Sequence, residues 1–257
     1  MKKKTVLITG STSGIGLGIA KGFAAKGYQL VFNGLESNGA SIAAEVAGEH
    51  GVDYMFSAAN MLDPDALKKM VEEATAMFGG IDILINNAGI QHVAPIESFP
   101  DNKWYDIIGI NLHAAYHLTK AVWPYMKERQ FGRIINIASA HGLVASEFKS
   151  AYVAAKHGLV GFTKTAALEG APFNITCNAI CPGYVKTPLV EKQVADQALT
   201  HGIPESEVAA KVMLHKQAVK SFVPVEVLAE MALLLAVEGS GTITGTAIPL
   251  DGGWSAQ

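Results

Sequence analysis

Apolar residues follow two alternating rhythms along this chain. Short runs rich in Val, Ile, Leu and Phe at 5–8, 29–33, 53–57, 83–86, 133–138, 176–180 and 246–250 have the length and make-up of buried strands. Between them, 16–26, 64–77, 103–127, 150–168 and 225–236 read as helices. Each is long enough to carry the chain back across a parallel sheet. The alternation predicts one α/β domain over 1–257, a doubly wound, parallel, seven-stranded sheet with helices on both faces. The stretch 186–221 breaks the rhythm, being long, mixed polar and helical where a short connection would serve. It reads as a helical insertion that covers a ligand, a lid.

Composition sharpens this picture. The 257 residues are 49% apolar and 17% charged, which excludes a disordered chain and suggests more apolar surface than one subunit buries. An oligomer is expected. With 20 basic and 23 acidic side chains the net charge is −3, so no broad positive field serves nucleic acid or an anionic membrane. The basic start, Met1 to Lys4, runs into Gly10 too soon for a signal peptide or a membrane span, which points to the reducing cytoplasm. Cys177 and Cys181 lie on one predicted strand, about 13 Å apart at 3.3 Å per residue, too far to bridge. The triplet Asn174-Ile175-Thr176 is then chemically idle as a glycosylation signal. His113 and His117 sit four apart on a predicted helix without a third ligand nearby, and no catalytic metal is expected.

After the first strand comes Thr9-Gly10-Ser11-Thr12-Ser13-Gly14-Ile15-Gly16, a glycine-rich turn that opens a helix. Glycines let a backbone approach a pyrophosphate, and the helix start offers unpaired N–H groups to it. The spacing is GxxxGxG, without the Gly-Lys-Ser/Thr ending of a nucleoside-triphosphate loop. Taken alone, it fits a dinucleotide turn and an ordinary tight turn equally well.

Further motifs follow in order: Asn86-Asn87-Ala88-Gly89 after the fourth strand, Asn111, Ser139 after the fifth, Tyr152-Val153-Ala154-Ala155-Lys156, and Pro182-Gly183 after the sixth. With them the whole chain resembles a short-chain dehydrogenase/reductase. The resemblance implies a Rossmann-type sheet, a nicotinamide cofactor and assembly as a homotetramer, the tail 242–254 packing against another subunit. It assigns cofactor contacts to Gly10, Thr12, Gly14, Ile15, Gly16, Asn60, Met61, Asn87, Gly89, Tyr152, Lys156, Pro182, Gly183 and Val185. Family members that take NADP carry a basic residue near the second motif glycine or after the second strand. Here those places hold Ser13 and Asn33-Gly34-Leu35-Glu36, and Glu36 would repel a phosphate if it pointed inward. NAD is therefore the expected cofactor. The aspartate that many NAD-dependent relatives place after strand two is Gly34 in this chain, and Asn60 stands where an aspartate commonly meets adenine.

The same resemblance assigns catalysis to Asn111, Ser139, Tyr152 and Lys156. A phenol with an ordinary pKa of about 10 is a poor base near neutrality, and the Lys156 ammonium one helical turn away would favour the phenolate. Ser139 would hold the reacting oxygen, and Asn111 would fix a water linking Lys156 to solvent. A Tyr-x-x-x-Lys pair by itself is common on solvated helix faces. The strings 87–92, 137–146, 149–152 and 187–193 narrow the likeness to family members that interconvert D-3-hydroxybutyrate and acetoacetate. In these, polar side chains hold the substrate carboxylate, and the matching substrate contacts are Gln91, Ser139, His141, Lys149, Tyr152 and Gln193. So small an acid offers little apolar area and must be recognised through its charge. Two other readings stay open: an NADPH-dependent reductase of 3-oxoacyl thioesters, and a dinucleotide-sensing protein without catalysis. The segment 169–175 departs from those relatives, and Gly170 with Pro172 is expected to end a helix there.

Overall fold

In a computed structural model, which describes residues 3–256 apart from the side chains of Pro188, Leu189, Lys192 and Gln193, all seven predicted strands join one sheet. They are β1 (Thr5–Ile8), β2 (Gln29–Asn33), β3 (Tyr54–Ser57), β4 (Ile83–Asn86), β5 (Gly132–Ile137), β6 (Ile175–Pro182) and β7 (Ala247–Leu250). The order is β3-β2-β1-β4-β5-β6-β7, and every pairing is parallel. This is a Rossmann-type sheet whose winding reverses beside β1, and ligands of such sheets bind outside the carboxyl ends of the strands at that crevice.

Helices cover both faces, so the strands carry unbroken apolar runs rather than an alternating pattern. Successive side chains of a strand point to opposite sides. Val6 and Ile8 of β1 accordingly join Leu30, Phe32, Ile19 and Phe23 in one core layer. Leu7, between them, joins Val31, Leu84, Leu67, Met70 and Leu118 in the other. The first layer packs under α1 (Gly14–Ala25), α2 (Gly39–His50) and, near the chain's end, Val225–Ala236. The second packs under α3 (Pro64–Phe78) and the long helical segment that begins at Asp101.

That long segment differs from the single helix expected over 103–127. It consists of α4 (Asp101–Ile108), a π turn at Gly109–His113 and α5 (Ala114–Arg129). The wider turn falls on Asn111, which is 2% exposed. Such turns occur mostly as single bulges and frequently at functional sites. Helix α6 (Ser150–Gly170) ends in a 3₁₀ turn at Ala171–Phe173 and a left-handed Asn174, as Gly170 and Pro172 led us to expect. A Cβ on Gly170 would lie 2.7 Å from the Ile175 carbonyl oxygen, so only glycine permits this tight entry into β6.

The segment after β6 holds α7 (Pro188–His201), α8 (Glu205–Val208) and a second π turn at Ala209–Met213, before α9 (Val225–Ala236) returns to the sheet. Helix α7 starts where Thr187 Oγ1 accepts from the Val190 amide at 3.4 Å and Pro188 occupies the first position. It ends on a left-handed Gly202. Cys177 and Cys181 are buried free thiols on β6. Among the described residues, no helix is long and apolar enough to cross a membrane.

Candidate active site

A cavity of about 490 Å³ opens at the carboxyl ends of the strands. Its floor on one side is the glycine-rich turn. Gly10 and Gly14 take left-handed backbone angles of φ 60° and 53°. A Cβ on Gly16 would collide with the Gly10 carbonyl oxygen, so the turn closes only with glycine there. Asn87 locks this turn to the loop after β4, with Nδ2 donating to Thr9 O at 2.8 Å and to Gly10 O at 3.2 Å. Thr9 Oγ1 in return accepts from the backbone amides of Asn87 and Ala88, both at 2.9 Å. At the head of α1, Ser13 makes no side-chain cap, which leaves the first-turn N–H groups directed to the cavity mouth without a capping acceptor. An uncapped helix start behind a glycine turn suits a pyrophosphate, and the residues present therefore fit a dinucleotide.

Gly10, Gly14, Ile15, Asn60, Met61, Asn87, Gly89, Tyr152, Lys156, Pro182, Gly183 and Val185 all line the cavity. Thr12 and Gly16 do not. Gly16 stands behind the turn, and the Thr12 hydroxyl donates to a carboxylate oxygen of Glu36. Ser13 Oγ donates to the other oxygen of Glu36 at 3.3 Å. Glu36 thus points inward, and its side chain occupies the space that a Cβ on Gly34 would need. Burial raises its pKa, but hydrogen bonds from Thr12, Ser13 and the backbone of residues 35 and 36 outweigh this and hold the carboxyl below its ordinary value. Asn60 Oδ1 accepts from the Leu62 amide at 3.0 Å, so one of its two lone pairs is engaged within the loop.

At the centre of the cavity stand Ser139, Tyr152 and Lys156. Ser139 follows β5, and its Oγ accepts from the His141 amide at 3.1 Å. It also hydrogen-bonds Tyr152, which α6 presents one turn before Lys156. Lys156 Nζ donates to Ile137 O at 2.8 Å and lies 5.6 Å from the centre of the Tyr152 ring. Burial pushes the Lys156 ammonium down to about 8. The phenol of Tyr152 is raised, chiefly by burial, with the Ser139 hydrogen bond lowering it in part. In the protein alone, then, desolvation outweighs the attraction of Lys156 for the phenolate that the sequence suggested. Asn111 stands behind this wall. Its side chain is committed to the backbone of Ile90, accepting from the amide at 2.8 Å and donating to the carbonyl at 2.9 Å. It joins Lys156 and Asn86 around a second cavity of about 10 Å³, in which Asn86 Oδ1 has no hydrogen-bond partner among the described residues.

Beyond Ser139 and Tyr152 the cavity is walled by Gln91, His141 and Lys149. Lys149 is 3% exposed, and no carboxylate pairs with it among the described residues. Its ammonium donates to the hydroxyl of Tyr184 at 2.8 Å. Burial, then the nearby Lys216, lower its pKa to about 8. His141 is pushed well below its ordinary value by burial and then by Lys149, Lys216 and His157, so its ring is neutral near pH 7. His141 Nε2 and Gln91 Nε2 are both buried without a partner among the described residues. The Gln193 side chain lies outside the described residues, and its backbone belongs to α7.

Sequence reasoning missed two wall residues. Tyr184 follows Pro182-Gly183, and Trp254, expected only as part of a subunit contact, stacks on it with ring centres 6.0 Å apart and planes 4° from parallel. The Trp254 ring also meets His141 edge-on at 4.8 Å. No local pattern links positions 184 and 254.

The fold and cavity define a Rossmann-type protein with a serine, tyrosine and lysine gathered at the strand ends. Residues 4–198 match the family model described as short chain dehydrogenase, and the chain belongs to that family. It is 52% identical over 256 residues to a D-beta-hydroxybutyrate dehydrogenase of Rhizobium meliloti (strain 1021), covering 99% of each chain. It is 50% identical to the protein of the same name in Cupriavidus necator, covering 99% of this chain and 98% of the relative. Among solved structures it is similar to a variant of actinorhodin polyketide ketoreductase with NADPH, at a TM-score of 0.93 and 30% identity over 99% of this chain and 98% of the other. The chain is an oxidoreductase closely related to D-beta-hydroxybutyrate dehydrogenases.

Proposed function

We propose that this chain catalyses the reversible oxidation of D-3-hydroxybutyrate to acetoacetate with NAD. The observation that carries the reading is Lys149, a buried ammonium beside Ser139 and Tyr152 that no carboxylate neutralises among the described residues. A buried charge without a counter-ion is costly, and a small carboxylate seated against it offsets that cost. Gln91 Nε2 and His141 Nε2, if the neutral ring carries its proton there, add two donors that lack acceptors. Gln193 on α7 would close the clamp from the lid side, as the family likeness suggests. The NAD preference is supported by Glu36, which faces the turn where a 2′-phosphate would need a cation.

When bound, NAD supplies the hydride acceptor and, in its oxidised form, a second positive charge beside the phenol. Lys149, Gln91 and His141 orient the acid by its carboxylate, which directs its hydroxyl toward Ser139 and Tyr152. Ser139 Oγ holds the reacting oxygen, and the Tyr152 phenolate takes its proton. Lys156, fixed by Ile137 O, keeps a positive charge beside that phenolate. A water in the small cavity would accept from Lys156 and donate to Asn86 Oδ1, and would carry the proton onward past Asn111. The family likeness also supports a cytoplasmic homotetramer acting on a small hydroxy acid.

The test offers D- and L-3-hydroxybutyrate with NAD and with NADP to the purified protein and follows reduced nicotinamide by absorbance. Turnover of the D-acid with NAD alone is the expected result. Silence in all four arms, with NADH still bound, would sink the substrate assignment and turn attention to 3-oxoacyl thioesters.

A further inference from the structure

Lys149 and Tyr184 form a pair whose hydrogen-bond polarity is set by chemistry. An ammonium has donors only, so at 2.8 Å the Tyr184 hydroxyl must be the acceptor. Its own hydrogen therefore points elsewhere. No acceptor for it is found among the described residues, and Tyr184 lines the same cavity as Ser139 and Tyr152. Burial pushes this phenol up, so it stays protonated throughout the physiological range.

The ring has little freedom to look away. Tyr184 N donates to Gln217 Oε1 at 3.2 Å, and Tyr184 O accepts from the Val223 amide at 2.8 Å, which fixes the backbone just after β6. The face of the ring lies on Trp254, which leans on His141. Lys149 Nζ sits 5.1 Å from the ring centre, on the hydroxyl side of the ring, so it meets Tyr184 through the oxygen and not through the ring face.

We propose that Tyr184 is a substrate-binding residue, the second half of a carboxylate clamp, whose hydroxyl both holds the Lys149 ammonium and donates its hydrogen to the substrate carboxylate. The inference rests on the carboxylate reading of the proposed function and extends it to selectivity. Two adjacent donors, one charged, match the two oxygens of an ionised acid. A thioester or amide carbonyl presents a single oxygen and no charge, so it meets the pair without the charge-assisted, two-oxygen geometry of a carboxylate and leaves the Lys149 ammonium unneutralised in a buried site. Tyr184 would thus favour free short-chain 3-hydroxy and 3-oxo acids over their neutral acyl derivatives.

The test titrates the protein, saturated with NADH, with butyrate and with its neutral counterpart butyramide, in the wild type and in Tyr184→Phe. Butyrate should bind the wild type more tightly than butyramide. In Tyr184→Phe the butyrate Kd should rise about tenfold, the equivalent of about 1.4 kcal/mol, with butyramide and NADH affinities unchanged. KM for 3-hydroxybutyrate should rise with kcat largely kept, a split that general loosening of the fold would not produce. An unchanged butyrate Kd in the variant overturns the role of Tyr184 while leaving the proposed function standing. A wild type that does not distinguish butyrate from butyramide overturns the carboxylate reading and this inference with it. If Tyr184→Phe loses NADH affinity, Tyr184→Leu, which fills space beside Trp254 but carries no hydrogen-bonding group, decides by the same criteria.

Discussion

Glu36 and Thr12 are joined by a hydrogen bond that turns a carboxylate from the loop after β2 onto the glycine-rich turn. Ser13 donates to the second oxygen, so the carboxylate is anchored at both ends. Glu36 lies two residues beyond Gly34, and both line the same mouth of the cavity.

Replacing Glu36 by Arg removes the negative charge and offers a cation to a 2′-phosphate. The ratio of kcat/KM for NAD over NADP should fall by at least about tenfold, the worth of about 1.4 kcal/mol. Calorimetric titration with NADP should show the matching gain in affinity. A ratio that does not move would mean that Glu36 takes no part in choosing the cofactor.

Tyr152→Phe deletes the hydroxyl without disturbing the ring, which contacts His141 edge-on at 5.8 Å. General acid–base catalysis contributes roughly 10²–10⁴-fold, so kcat should drop by that order. NADH affinity, read by fluorescence titration, should hold within about twofold, since the groups of the glycine-rich turn are untouched. Turnover near the wild-type level would exclude Tyr152 as the proton acceptor.

The sheet is legible in the sequence because strands covered on both faces leave unbroken apolar runs such as Val6-Leu7-Ile8 and Ile83-Leu84-Ile85. The site is legible where a motif needs the residue types themselves. Gly10 and Gly14 are required by left-handed backbone, and Tyr152 and Lys156 share one face of α6 by helical spacing. The π turn around Asn111 is not legible, because one extra residue in a turn scarcely alters the apolar pattern on either side. Neither is the direction of a hydroxyl. Thr12 belongs to the turn motif, yet its side chain serves Glu36. Tyr184 and Trp254 meet only through the tertiary fold, and their place beside Lys149 follows from contacts between distant segments.

Lys149 ties recognition to a cost in stability, and the two can be separated by pH. Its pKa is lowered to about 8 by burial and by Lys216, while in the unfolded chain it lies near the ordinary value of about 10.4. Below pH 8 both states hold the proton, and the folded protein bears the full cost of a buried charge. Between about pH 8 and 10.4 the unfolded state binds more protons than the folded one, so stability rises with pH and the cost fades. Lys149→Met should therefore stabilise the ligand-free protein at pH 7 by about 1–3 kcal/mol, within the range found when buried ionic groups are replaced by apolar ones. In a chain of this length that is a Tm higher by a few degrees, roughly 2–4 °C per kcal/mol. The gain should shrink steadily above about pH 8, and butyrate, which raises the wild-type Tm, should leave the variant unmoved. A Lys149→Met protein less stable than the wild type at pH 7 would mean that the ammonium already has a counter-ion, and the carboxylate site would lose its main support.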